Sequence, residues 1–220
     1  FIYDKSNFHP LGIEGTYDFL NQPKVPLTEE ITRITGITNE MLEGHKFNVS
    51  EIEKHFKDVD IVIAHNSSFD KKFVIKVFTS LATKVWGCSK DDIPWKERGC
   101  DCRVLQHLCN DNGFYYKGHR ASTDASATYK LLECADDEGI TNMAWLISRA
   151  TLPEFLVEAA GFPFEAKDEL KAIGFYWNAA AKVWAKTVSE HDLGDCRVAL
   201  LEISTKQPRV TKINPLKRFL

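Results

Sequence analysis

The apolar positions of this chain change their period along its length. Two short alternating stretches, residues 1–4 and, beyond Pro10 and Gly12, residues 15–20, predict two strands joined by a turn. Pro23 and Pro26 mark a loop. After it Thr28 stands ahead of Glu29 and Glu30, with Ile31 and Ile34 at helical spacing up to Gly36, the signature of a short capped helix. A second helix is expected at 49–56. The run Val59-Asp60-Ile61-Val62-Ile63-Ala64 has the length and apolar density of a strand inside a parallel sheet. Phe69, Phe73, Val77 and Leu81 then recur on one helical face, so a helix follows this strand directly. Residues 85–88 read as another short strand. Residues 103–110 read as a helix that turns Val104, Leu105 and Leu108 inward and stops at Gly113. A long amphipathic helix is expected over 121–135, through Ala121, Ala125, Thr128, Leu131, Leu132 and Ala135. Strands alternating with helices argue for an α/β layer fold.

The pattern shifts at Ala150-Thr151-Leu152-Pro153, which reads as a junction. Beyond it a strand is expected at 154–157, a helix at 166–173, strands at 175–178 and 182–188 across a turn at 179–181, and a helix from Ser189. The expected division is a first domain over 1–148, a small α+β domain rich in aromatics and lysines over 149–204, and a basic C-terminal tail over 205–220. That tail holds Lys206, Arg209, Lys212, Lys217 and Arg218 with no acidic residue among them.

Composition narrows the function classes. With 220 residues, 44% apolar and 27% charged, the chain is long enough for a full core, which excludes a disordered tail, a collagen-like repeat and a disulfide miniprotein. The formal charge of −3 excludes a globally basic nucleic-acid coat, so any nucleic-acid contact has to be a local surface. No apolar run approaches the roughly 20 residues of a membrane span, no basic and apolar leader opens the sequence, and the cytoplasm is the expected compartment. Six cysteines are expected to be reduced thiols. Cys100, Cys102, His107 and Cys109 lie close in sequence but match no standard two-pair zinc spacing, and buried small thiols on a helix are the preferred reading.

Candidate chemistry begins at Ala64-His65-Asn66-Ser67-Ser68-Phe69-Asp70. It puts a carboxylate at the start of a helix, just past the carboxyl end of a buried strand, where open α/β sheets place their ligands. By itself Asp70 could simply complement the helix dipole, and Asn66 is an ordinary turn former. A second stretch, Gly118-His119-Arg120-Ala121-Ser122-Thr123-Asp124-Ala125, sets a histidine five residues ahead of an acid at the mouth of the long helix. A third, Ile34-Thr35-Gly36-Ile37-Thr38-Asn39-Glu40-Met41, lies upstream.

In this order and spacing the three stretches resemble the DnaQ-like exonuclease superfamily, the type with four acidic residues and a histidine that includes the proofreading epsilon subunit of bacterial DNA polymerase III. The resemblance covers about residues 1–140 and implies a ribonuclease H-like mixed sheet flanked by helices, with its first strand absent. It also implies 3′-to-5′ hydrolysis of terminal phosphodiesters, single-stranded DNA preferred, with release of nucleoside 5′-monophosphates. Two divalent ions, Mg²⁺ or Mn²⁺, would clamp the scissile phosphate on carboxylate oxygens. By that resemblance Asp70 and Asp124 are the metal ligands and His119 the general base, an imidazole suiting that task because it changes charge near neutral pH. Asn66 would support the site, and Gly36, Ile37 and Thr38 would approach the terminal nucleotide. Implied partners are a single-stranded DNA 3′ end or RNA, and a DNA polymerase or repair protein, with no membrane.

One departure stands out: the family's first motif, Asp-x-Glu on its first strand, does not occur ahead of the first helix. Asp4, Glu14 and Asp18 lack that spacing. Because the chain opens at Phe1, removal of an upstream strand is the expected cause. Two other readings remain: a non-catalytic nucleic-acid- or polymerase-binding module on the same fold, and a hydrolase of another phosphodiester, since fold does not fix substrate. The segment 170–186, with Phe175, Trp177 and Trp184 among lysines, resembles a small domain appended to some epsilon-like exonucleases. Its aromatics could stack on bases or simply form a small core.

Overall fold

The computed structural model describes residues 1–219. They divide into two compact units, Phe1–Ala150 with Phe219, and Thr151–Arg218. In the first unit β1 (Ile2–Tyr3), β2 (Pro10–Gly12), α1 (Glu29–Thr35), α2 (Asn39–Leu42), α3 (Val49–Lys54) and β3 (Ile61–Ala64) follow one another. They lead into α4 (Ser67–Val77), β4 (Val85–Cys88), α5 (Leu105–Asp111), α6 (Ala121–Glu133) and α7 (Asn142–Thr151). The second unit holds β5 (Glu154–Glu158), α8 (Lys167–Ala172), β6 (Tyr176–Asn178), β7 (Val183–Ser189), α9 (Leu193–Ile203) and β8 (Arg209–Ile213). No described helix is long and apolar enough to cross a membrane.

The first unit is mixed α/β, with one antiparallel pair and one parallel pair. β3 and β4 run parallel, Ile61 opposite Val85 and Ala64 opposite Cys88, with α4 as their crossover. β1 and β2 form a separate antiparallel ladder. The second strand was expected at 15–20, and the ladder closes earlier because the turn is local. The Asp4 carboxylate accepts the Ser6 N–H at 2.8 Å, and Asp4 N–H donates to His9 O at 2.8 Å, which brings 10–12 back beside 2–3. Residues 15–20 are left without a strand partner, and Tyr17 instead lays its ring 3.9 Å from that of His55. The capped helix forms as expected: Thr28 accepts the Ile31 N–H, and Gly36 closes α1 in the left-handed region at φ 69°.

Under the parallel pair lies a core of Ile61, Trp95, Leu105, Leu108, Leu131, Met143, Leu146 and Ile147. The junction at 150–153 conceals one of its main contributors, α7, whose Met143, Leu146, Ile147 and Ala150 make a helical stripe. This helix fits because Gly87 has no side chain: a Cβ there would stand 2.5 Å from Leu146 Cδ2. Cys88, Cys100 and Cys109 are buried free thiols, and burial pushes the thiols of Cys88 and Cys109 up to about 11. Cys109 alone of the four zinc candidates considered above is both buried and on a helix. Among the described residues no group of three or more His, Cys, Asp or Glu is placed to hold a metal.

In the second unit a four-stranded antiparallel sheet in the order β6-β7-β5-β8 packs one face on α8 and α9. The expected tail is corrected here. Residues 209–213 form β8, pairing with β5 from Glu158 opposite Arg209 to Glu154 opposite Ile213. The reason is a non-local partner plus an ion pair: Arg218, 4% exposed at its side chain, clasps the Glu154 carboxylate through Nε at 2.7 Å and Nη2 at 3.1 Å. The last helix starts at Leu193 rather than Ser189, whose hydroxyl donates to Asp192 Oδ2 at 2.6 Å across the preceding turn.

Two expected outcomes follow from this packing. Arg218→Ala strands a carboxylate in a largely dry site, and in urea titration it should cost the second unit about 3 kcal/mol. Asp136 accepts from Trp145 Nε1, from the Ile140 N–H and from Arg98, and these bonds, the indole's foremost, hold its carboxyl below the ordinary carboxylate range. A depressed carboxyl stabilises the fold above its unfolded pKa and loses that contribution as pH falls through the folded one. Thermal melts of Asp136→Asn should therefore lie below wild type at neutral pH and converge with it in acid.

Candidate active site

The parallel pair ends at a loop on each strand, and these loops are tied together side chain to backbone. Ser67, the first residue of α4, donates its hydroxyl to Gly87 O at 2.6 Å, and Ser89 N–H continues the pairing onto Ala64 O at 3.0 Å. His65 sits between them. Its Nε2 lies 3.0 Å from Arg103 O and its Nδ1 2.9 Å from Ser89 Oγ. A carbonyl only accepts, so Nε2 carries the proton and Nδ1 accepts from the serine hydroxyl. Burial lowers the His65 pKa and keeps this neutral form. Trp95 Nε1 on Ser89 O at 2.8 Å and Asp92 on Cys88 N–H at 2.7 Å fix the second loop.

Beyond these strand ends opens a groove of about 1260 Å³. Asp70 lies on its wall in the first turn of α4, where its N–H donates to Asn66 O at 3.0 Å. The Asp70 carboxyl is half-buried, and burial raises its pKa against the pull of the backbone N–H groups of Asn66 and Asp70. Among the described residues no cation pairs with it. Asp124 enters from the first turn of α6. It accepts the His119 backbone N–H at 3.3 Å, and Tyr116 lines the groove beside it. Burial, and then the Asp124 carboxylate, raise the Tyr116 pKa, so the phenol stays protonated.

His119 is exposed on the groove and adopts φ 75°. A non-glycine residue in that left-handed region costs on the order of 1 kcal/mol, though histidine tolerates it better than most. The conformation turns the chain sharply into α6 and lets the His119 N–H reach back to Asp124.

Of the residues singled out from sequence, Asp70, His119, Asp124, Asn66 and Ile37 all line this one groove. Gly36 and Thr38 do not. Gly36 ends α1, and Thr38 accepts the Met41 N–H to start α2, so they hold Ile37 at a turn between two helices. His65 and Tyr116 join the groove although the sequence pattern did not single them out. His65 adjoins Asn66 in its motif, but its partners Ser89 and Arg103 lie far along the chain. Lys90 and Arg103 bring positive charge to the same groove, the latter paired with Asp91 at 2.9 Å.

The donor set suits a hard cation of one kind. Two carboxylates without a third protein ligand do not make a closed cage. They match an ion that keeps several waters and takes remaining ligands from a phosphate, as Mg²⁺ does. The half-buried Asp70 carboxyl, with no cationic side chain against it, is the observation that favours a cation there.

The exonuclease family RNase_T matches residues 5–132, more than half of the chain. The PolC-type DNA polymerase III of Latilactobacillus sakei subsp. sakei (strain 23K) is 29% identical over 160 residues, which cover 67% of this chain and 11% of the polymerase. This chain thus spans only about a tenth of that relative's length. No solved structure matches it. The matched segment contains the whole groove constellation, from Ile37 through Asp70 and His119 to Asp124, and the chain belongs to the RNase_T exonuclease family of the DnaQ-like superfamily.

Proposed function

We propose that this chain is a metal-dependent 3′-to-5′ exonuclease that removes nucleoside 5′-monophosphates from the end of single-stranded DNA. The observation that carries the reading is the convergence of Asp70, His119 and Asp124 on one groove at the carboxyl ends of β3 and β4. Exonucleases of this family generally depend on divalent metal ions. Asp70 and Asp124 would hold them, and Mg²⁺ or Mn²⁺ bound there supplies positive charge to the phosphate and acidifies water. His119 takes the proton from the attacking water. The water oxygen forms a bond to phosphorus, the bond to the 3′ oxygen breaks, that oxygen takes a proton from solvent to leave a 3′ hydroxyl on the shortened strand, and His119 returns its proton to solvent. Asn66 and Ile37 meet the terminal nucleotide, with Gly36 and Thr38 fixing the turn that presents Ile37. The His119 N–H orients the Asp124 carboxylate. Lys90 and Arg103 complement the phosphate backbone.

The likeness to a PolC-type polymerase supports work beside a DNA polymerase, in the cytoplasm, with residues 151–218 as an accessory unit. A second reading, a non-catalytic nucleic-acid- or polymerase-binding module, has one observation in its favour: no Asp-x-Glu of the family's first motif stands ahead of α1, and such a module would not need one.

A 5′-labelled single-stranded oligonucleotide with Mn²⁺ separates the two. The exonuclease shortens it into a ladder from the 3′ end, Asp70→Ala and Asp124→Ala abolish the ladder, and His119→Gln slows it by about 10²- to 10⁴-fold. Immediate release of a labelled mononucleotide would reverse the polarity. Tight binding without any shortening, unchanged by Asp70→Ala, would establish the binding module. A matched RNA oligonucleotide in the same assay ranks the two substrates.

A further inference from the structure

The second unit contains a surface that the hydrolytic groove does not use. Residues 170–189 carry Lys171, Lys182 and Lys186 and no acidic residue. They fold into the end of α8 and the β6–β7 hairpin, in which Trp177 stands directly opposite Trp184. The two indoles meet edge to face at 5.7 Å and 62°, and Lys171 Nζ lies 5.8 Å from the centre of the Trp184 ring.

Trp184 packs against the core of Val157, Leu170, Phe175, Val188 and Leu200, but Trp177 does not belong to that cluster and keeps 50% of its surface in water. A large ring on an edge strand, held by a second ring and not needed to fill the core, is the arrangement of a stacking platform. The turn adds a cation. Asn178 Oδ1 accepts the Ala181 N–H at 3.0 Å, and Lys182 follows at φ 51°, a left-handed position where glycine would be unstrained and the chain carries a lysine instead. Among the described residues Lys171 pairs with one acid, Asp168 at 3.7 Å. That acid is 78% exposed, so the pair is weak and leaves the ammonium free to exchange partners.

An exposed aromatic face flanked by lysines selects a ligand with flat rings and repeated negative charge. Paired bases inside a duplex offer no free ring face, whereas every base of a single strand does. We propose that Trp177, with Lys171 and Lys182, binds single-stranded nucleic acid, the indole stacking on a base and the lysines meeting neighbouring phosphates. DNA and RNA share this chemistry. The site is built from residues of the second unit alone and needs no metal, so it stands or falls independently of hydrolysis.

The test is fluorescence anisotropy of the full chain with labelled oligo-dT and oligo-U of about 12 nucleotides in the presence of a chelator. Trp177→Ala should weaken binding about tenfold, while Trp177→Phe, which keeps a ring, should stay near wild type. Lys171→Gln with Lys182→Gln should flatten the dependence of log affinity on log salt by about 0.7 for each phosphate no longer neutralised. The chelator stops metal-dependent hydrolysis, so binding is read whether or not the groove cuts, which separates this result from any failure of the exonuclease. Equal affinity of Trp177→Ala and wild type, an unaltered salt slope, or no binding by the wild-type chain would each overturn the proposal. Preference for one of the two oligonucleotides identifies which strand the site takes.

Discussion

Two parallel strands of four residues each, β3 and β4, place everything in the groove, and a ladder so short has little pairing of its own to hold its ends in register. The constraint is met by extending the pairing past the strands with side chains. Ser67 reaches Gly87 O, Ser89 N–H reaches Ala64 O, and His65 closes the gap through its ring to Ser89 and to the carbonyl of Arg103. The histidine works only as the neutral tautomer with its proton on Nε2, and burial supplies that condition. Behind the strands, the missing side chain at Gly87 lets α7 press its Leu146 onto the sheet, so backbone and core fix the same geometry from opposite sides.

Two helices then begin at the rim of the groove, and each delivers one carboxylate from its first turn. Their treatment differs. Asp124 is supported by a backbone N–H, whereas Asp70 is half-buried with only the helix start in its favour. Negative charge held against desolvation and left without a cationic side chain is stored electrostatic demand. The positive residues in the groove, Lys90 and Arg103, line the same opening without pairing to Asp70.

Much of this was legible in the sequence because it depends on short-range pattern. The run 59–64, the Thr28 and Gly36 caps and the stretches ending in Asp70 and Asp124 each carry their signal within about two helical turns. What escaped depends on distant partners. The role of His65 requires Ser89 and Arg103, the place of Tyr116 beside Asp124 requires the next helix, and no local rule couples them. Residues 205–220 misled for the same reason: five positive charges dominate the reading, while Val210 and Ile213, three apart and so without strand alternation, join a strand only because β5 is there to receive it. The helix at Asn142–Thr151 is different, since its stripe was present in full and was hidden by the stronger break signal at Pro153.

The place of β8 in the sheet carries a consequence for how the second unit comes into being. β5 ends as an interior strand between β7 and β8, yet it is synthesised first of the four and β8 last. While the chain is growing, β5 can pair with β7 and still show the ladder of donors and acceptors that β8 will later cover. An interior strand that lives for a time as an edge is open to capture by any other extended segment nearby. For β5 this vulnerability therefore belongs to the time of chain synthesis and ends when β8 pairs with it.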